Sequence, residues 1–248
     1  QDFAAEVFHA DKTYFVLNGS SSANKVVANA LLAPGDLVLY DRNNHKSIYN
    51  SALVMTGAKP VYLPTDRNAD GLIGPLTAAS LDEDLIRREI AKVAPDRAMA
   101  DRPFRLAVLQ LETYDGIFYD AKLILKKLGR LCDYILFDCA WGGYEQFVDV
   151  LRDFSPFQQA YGPDDPGILV TQSVHKQQAG VGQASQILKK DSHIKGQKRY
   201  VDHKHFNHAY MKYVTTSYSY PVYASLVANS AMAASPAVNS WWNDTVKL

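Results

Sequence analysis

Apolar residues fall in short runs along this chain, and the runs alternate with stretches where they recur every three or four positions. The runs at 12–19 (KTYFVLNG), 35–42 (GDLVLYDR), 58–64 (AKPVYLP), 104–113 (FRLAVLQLET), 133–141 (DYILFDCAW), 167–176 (GILVTQSVHK) and 182–190 (GQASQILKK) predict strands. Helical spacing marks 1–8, 22–32 (SANKVVANALL), 45–55, 81–94, 120–132 and 223–234 (YASLVANSAMAA). The 81–94 segment places acids early and bases late, in accord with the helix dipole. Buried strands separated by helices predict an α/β fold, a mostly parallel sheet with helices on both faces. No internal repeat or low-complexity linker interrupts the pattern.

In such a fold ligands sit outside the carboxyl ends of the strands. Polar residues directly after strands are therefore the candidates: Gly19 to Ser22, His45, Asp138 to Trp141, and Ser173 to Lys176. Each has an ordinary reading beside a chemical one. The Ser-rich turn NGSSSANK opens a helix; serine capping is the commoner explanation, and phosphate binding by first-turn amides the sharper one. Asp138, at the end of an apolar run, needs a cation or donors, and a protonated pyridine nitrogen would serve. Lys176 follows the apolar run GILVTQSV with one residue between; a desolvated lysine there suits Schiff-base chemistry, whereas an isolated one usually reaches for solvent. His45 and His175 are a stacking platform and a proton donor, or hydrogen-bonded structural residues.

Composition narrows the classes. The chain has 248 residues, 47% hydrophobic and 21% charged, with zero formal net charge. No whole-molecule field favours nucleic acid or an anionic membrane. Lys189-Lys190 and the cluster KGQKR from Lys195 read as solvated surface. Two cysteines, Cys132 and Cys139, make neither a disulfide framework nor a metal site, so a reducing, cytoplasmic setting is expected. No apolar run is long enough to span a bilayer, and no signal peptide is evident. The opening QDFAAEVF reads as mid-helix and the close SWWNDTVKL carries no cap, so a piece of a longer protein is expected.

Taken together, NGSSSANK, DRNNHKS, YDG, FDCAWGGYEQF and SVHKQQAG resemble the bacterial ornithine/lysine/arginine decarboxylases, and SVHKQQAG continued by QASQILKKDSHIKGQ looks closest to the ornithine branch. The resemblance runs from the first residue to about Ala234. It implies an aspartate-aminotransferase-like (fold-type I) large domain over 1–234 that binds pyridoxal 5'-phosphate, with 235–248 starting a further segment. The family's N-terminal wing and C-terminal domains are not visible in it. Lys176 would carry the cofactor as a Schiff base, Asp138 would pair with the pyridine nitrogen, and His45 would stack on the ring. Ser21, Ser22 and Ser173 would hold the phosphate beside His175, and Ala140 and Trp141 would line the ring's other side. Thr216 or Ser217 would reach the phosphate of a neighbouring subunit, which makes a homodimer or a higher oligomer with shared sites the expected partner.

The implied reaction is decarboxylation of a basic amino acid, foremost L-ornithine to putrescine. Lysine or arginine as substrate, or a non-catalytic interaction module of the same fold, are the alternatives. An aminotransferase is disfavoured by the SVHKQQ surroundings. Several positions depart from the family pattern: Cys139 for serine, Gly143 for valine, Val181-Gly182 for Phe-Ser, and Glu112, whose charge would bear on substrate choice.

Overall fold

The computed structural model describes residues 1–244. Its first half runs α1 (Asp2–Val7), β1 (Lys12–Val16), α2 (Ser20–Leu31), β2 (Leu37–Tyr40), α3 (Lys46–Tyr49), β3 (Lys59–Tyr62) and α4 (Glu83–Val93). The second half runs β4 (Phe104–Gln110), α5 (Ala121–Leu128), β5 (Cys132–Cys139), β6 (Gly167–Gln172), α6 (Val174–Gln177), β7 (Ser185–Lys190), α7 (His203–Tyr213) and α8 (Tyr220–Ala233). The strands form one sheet in the order β1-β7-β6-β5-β4-β2-β3. Every expected strand is present.

Strand residues alternate between two apolar layers, as a period of two requires. Leu37, Leu39, Ala107, Leu109, Ile135, Phe137, Ile168 and Val170 point into one layer, with Ile86 and Ile90 of α4 and Ile124 and Leu128 of α5. Val38, Tyr40, Leu106, Val108, Tyr134, Leu136 and Leu169 point into the other, against Val26 and Val27 of α2 and Phe206 of α7. A sheet buried on both sides explains why these strands read as continuous apolar runs. Side chains mark the helix starts: Asp82 accepts from the Leu85 amide, Asp120 from Lys122 and Asp202 from His205.

Strand β7 is antiparallel to both of its neighbours, β6 and β1; all other pairings are parallel. Two reversals cancel, so β1 runs in the same direction as β6. The carboxyl ends of β1, β2, β4, β5 and β6 therefore share one edge of the sheet, and β7 begins at that edge. Lys189, read from the sequence as solvated surface, is instead buried and pairs with Asp191 at the far end of β7. Tyr134 donates to Asp191 (2.8 Å) and accepts from the Val201 amide (2.8 Å).

The pattern is corrected in three places. The helix expected over 45–55 divides into α3 and a π-helical turn, Asn50–Met55. Helix α2 starts two residues earlier than the spacing indicates. Helix α7 was not marked by the apolar spacing, because Phe206 and Ala209 are its only buried residues. In the expected further segment from 235, residues 245–248 lie outside the described ones. Among the described residues, no helix is long and apolar enough to cross a membrane.

Candidate active site

The shared edge of the sheet opens into a cleft of about 290 Å³ lined by residues that follow four different strands. Asn18, Gly19, Ser20 and Ser21 come from the turn after β1 and the start of α2, and His45 from the turn after β2. Asp138 and Ala140 come from the end of β5, and Ser173, His175 and Lys176 from the end of β6.

Gly19 starts α2 with φ 86° and ψ 160°, a conformation almost confined to glycine. No side chain caps this helix. The serine-capping reading is therefore overturned: Ser22 Oγ donates backwards to the Asn18 carbonyl (3.1 Å), and Ser20 Oγ shares a 2.5 Å hydrogen bond with Ser173 Oγ. A Cβ placed on Gly19 would meet nothing within 4 Å. Ser20 and Ser21 of the first turn line the cleft, and their amides with the Ser20 and Ser173 hydroxyls make a donor set suited to a phosphate, whereas the Ser22 amide is taken by the Gly19 carbonyl.

Asp138 is only 2% exposed, and burial raises its pKa above the usual carboxylate range. The strongest opposing influence is the hydrogen bond from Asn24 Nδ2 to Oδ2 (3.3 Å), followed by that from the Ala140 amide to Oδ1 (3.1 Å) and the charges of His45 and Lys176. A buried acceptor facing the cleft beside the Lys176 amine suits the protonated nitrogen of a heteroaromatic ring.

Helix α6 has only four residues and sets the next two groups in place. His175 Nδ1 lies 2.9 Å from the Ala184 carbonyl, which also accepts the His175 amide. A carbonyl only accepts, so Nδ1 carries the proton and Nε2 is left as an acceptor in the neutral ring. Lys176 Nζ stands 3.9 Å from the centroid of the Trp141 ring. Burial lowers its pKa and the Asp138 carboxylate works against that, so the amine is partly desolvated while facing its counter-charge.

Of the expected site residues, Ser21, His45, Asp138, Ala140, Ser173, His175 and Lys176 line one cleft. Trp141 joins through Lys176, and Ser22 turns away from the cleft. Thr216 and Ser217 are exposed on the loop before α8. Glu112 does not line the cleft; it is buried (9% exposed), accepts from Tyr144 OH (3.3 Å), and burial pushes its carboxyl up to about 7. Gly143 has φ 99°, and a Cβ there would come 2.2 Å from Gln178 Nε2, which explains the departure from valine. Sequence reasoning named the turn from Gly19 to Ser22 without giving Ser20 a role of its own, and it missed Asn24 and Gln183. Ser20 and Asn24 lie one helical turn apart, so the first-turn assignment of α2 carries the signal for both.

Comparison with known proteins gives the lineage. The family described as Orn/Lys/Arg decarboxylase, major domain, matches residues 1–248. The chain is 59% identical over 246 residues to the inducible ornithine decarboxylase of Escherichia coli strain K12, covering 99% of this chain and 34% of that protein. It is 56% identical over 248 residues to the ornithine decarboxylase of Haemophilus influenzae, covering 100% and 34%. Lysine decarboxylase A from Pseudomonas aeruginosa superimposes with a TM-score of 0.86 at 39% identity, over 96% of this chain and 31% of that structure. The chain thus spans about a third of the length of the relatives it matches. A full-length match to the family, a mostly parallel sheet and this cleft agree with one another: the chain belongs to the Orn/Lys/Arg decarboxylase major-domain family.

Proposed function

We propose that residues 1–234 form the pyridoxal-phosphate-binding domain of a cytoplasmic decarboxylase that converts L-ornithine to putrescine and carbon dioxide. The observation that carries this reading is the convergence of Lys176, Asp138 and the uncapped start of α2 on one cleft. The choice of ornithine rests on the 54–59% identity to ornithine decarboxylases, against 34–39% for the lysine and arginine decarboxylases of the same family.

The residues present fit the cofactor. The amides of Ser20 and Ser21 and the Ser20–Ser173 hydroxyl pair bind its phosphate, with His175 beside them. Asp138 would accept a hydrogen bond from the protonated pyridine nitrogen, His45 would cover one ring face, and Ala140 and Trp141 would border the other. Lys176 Nζ is the covalent attachment point. When bound, pyridoxal phosphate supplies an electron-accepting ring that takes up the electron pair left as the Cα–carboxyl bond breaks. Asp138 favours that uptake by keeping the ring nitrogen protonated. Trp141 and Lys176 border the space where the amino acid's Cα must lie. A proton from Lys176 Nζ, or from His175 once Nε2 has taken one up from water, would then replace the lost carboxyl; water restores that proton, and carbon dioxide and the diamine leave. A second subunit would bring Thr216 or Ser217 to the phosphate, with a homodimer as the smallest complete unit.

Borohydride reduction after addition of pyridoxal phosphate tests the reading. A phosphopyridoxyl group on the peptide containing Lys176, absent from Lys176→Ala, together with carbon dioxide release from ornithine exceeding that from lysine and arginine, is the expected result. A label elsewhere, or an equal label in Lys176→Ala, overturns the cofactor assignment. Faster release from lysine or arginine overturns the substrate.

A further inference from the structure

We propose that Asn24 is a positioning residue: with Thr171 and Ser47 it fixes the Asp138 carboxylate and the His45 ring as one hydrogen-bonded unit beneath the cleft. The inference rests on the cofactor reading above and extends it to residues that act through Asp138 and His45.

Asn24 lies on the buried face of α2 and is 1% exposed. Its amide meets three partners. Thr171 Oγ1 donates to Oδ1 (2.9 Å), and Nδ2 lies 3.3 Å from Asp138 Oδ2 and 3.0 Å from Ser47 Oγ. The orientation of the amide follows from chemistry. A carboxylate only accepts, so the atom facing Asp138 is the nitrogen, and the oxygen is left for the Thr171 hydroxyl. Thr171 pairs with Asp138 across β5 and β6, so the sheet register itself places the hydroxyl that orients the amide that holds the carboxylate.

The unit continues to the other side of the cleft. Ser47 Oγ, having accepted from Asn24, lies 2.9 Å from His45 Nδ1, and the Ser47 amide donates to the same nitrogen (3.2 Å). A backbone N–H can only donate, so Nδ1 is an acceptor and the neutral ring carries its proton on Nε2. Donors then point one way throughout: Thr171 hydroxyl to Asn24 oxygen, Asn24 nitrogen to Asp138 and Ser47, Ser47 hydroxyl to His45. The carboxylate expected below the ring nitrogen and the imidazole expected on the ring face are coupled through a single amide, which supplies one of the two hydrogen bonds to Asp138 seen among the described residues. The titratable groups facing Asp138 are His45 and Lys176, and among the described residues neither donates a hydrogen bond to it in place of Asn24.

The test follows Asp138 itself in the protein free of cofactor, using the carboxyl stretch in infrared difference spectra assigned by comparison with Asp138→Asn. Asn24→Asp is isosteric, keeps the acceptor for Thr171 and replaces the donor facing Asp138 by a second acceptor. Asn24→Leu removes both. At a pH within the Asp138 transition, the ratio of ionised to protonated Asp138 is expected to fall by on the order of tenfold in either variant, since a hydrogen bond to a charged group is worth about a factor of ten or more. Ser47→Ala is expected to leave the Asp138 signal in place while shifting the His45 ring resonances in NMR spectra. Asp138 titrating as in the unsubstituted protein in a folded Asn24→Asp sinks the inference. So do unmoved His45 resonances in Ser47→Ala, a variant that leaves Asn24 in place should both Asn24 variants fail to fold. Labelling at Lys176 separates the two levels: a normal label with unmoved Asp138 refutes the role of Asn24 alone, whereas loss of the label from the unsubstituted protein refutes the cofactor reading.

Discussion

Gly19→Ala isolates the anion-binding part of the site. Gly19 adopts φ 86° and ψ 160°, and an added Cβ would meet no atom within 4 Å. The substitution therefore brings backbone strain without a clash, about 1–3 kcal/mol for a side chain held in that region. Reduced freedom of the unfolded chain offsets about 0.4–1 kcal/mol of this. The net penalty, about 0.5–2 kcal/mol, has two possible destinations. If the turn keeps its shape, all of it appears as lost stability, which for a chain of this size lowers Tm by about 2–4 °C per kcal/mol. If the turn relaxes, ψ of residue 19 rotates the Ser20 amide out of the cradle. The penalty then appears as weaker anion binding, tenfold in Kd for each 1.4 kcal/mol. Thermal unfolding and calorimetric titration with inorganic phosphate measure the two parts, and phosphate avoids any dependence on Lys176. Their sum should match the net strain whichever way it divides. Ser22→Ala is the control, because its hydroxyl is turned to the Asn18 carbonyl. Unchanged Tm together with unchanged phosphate affinity in Gly19→Ala would refute the reasoning.

Three further outcomes follow from the geometry. Tyr134→Phe removes a donor to Asp191 and leaves the buried Val201 amide without its acceptor, so unfolding in urea should show a loss of about 2–4 kcal/mol; under 1 kcal/mol contradicts the structural role given to that hydroxyl. Burial raises Glu112 to about 7 in the fold, so the folded state holds a proton that the unfolded chain has lost, and this group's contribution to stability falls as pH rises from about 4.5 to 7. Glu112→Gln should flatten that slope and be more stable than its parent at pH 8 by on the order of 1–2 kcal/mol; parallel stability curves for the two proteins rule this out. In Gly167→Ala the new Cβ would lie 2.3 Å from the Tyr134 ring, and a loss of at least about 2 kcal/mol in Tm-based stability is expected, whereas a wild-type melt contradicts the packing.

How far the sequence could be read depended on what each feature asks of its residues. Strands buried on both faces announce themselves because each inward and outward position is apolar, as in Leu106 to Leu109 and Tyr134 to Phe137. The reversal of β7 is silent, since side-chain periodicity is the same in either direction. Helix α7 is silent for another reason: it buries little, and its clearest local signal is the Asp202 cap. At the site, Asp138 and Lys176 were legible because a charge next to an apolar run needs a reason. Ser20 was legible only as part of the Gly19 to Ser22 turn and Asn24 was not, because small polar residues on a helix are ordinary until the first turn is placed, and here Gly19 rather than a serine begins the helix.

The site residues are held by separate devices, and this bears on what the cleft can do. Asp138 is fixed by the Asn24 amide and its own strand end, His175 by the Ala184 carbonyl just before β7, and Lys176 by a four-residue helix and the Trp141 face. The first two are held through hydrogen bonds with little freedom to rotate. The lysine is held by a cation–π contact worth about 0.5–2 kcal/mol, the weakest of the three attachments. Under the proposed reaction, the group that would exchange covalent partners is thus the one least firmly held, while the groups that would orient and neutralise are fixed. On that reading, tightening Lys176 should slow turnover, and loosening Asp138 should weaken the charge balance at the ring nitrogen.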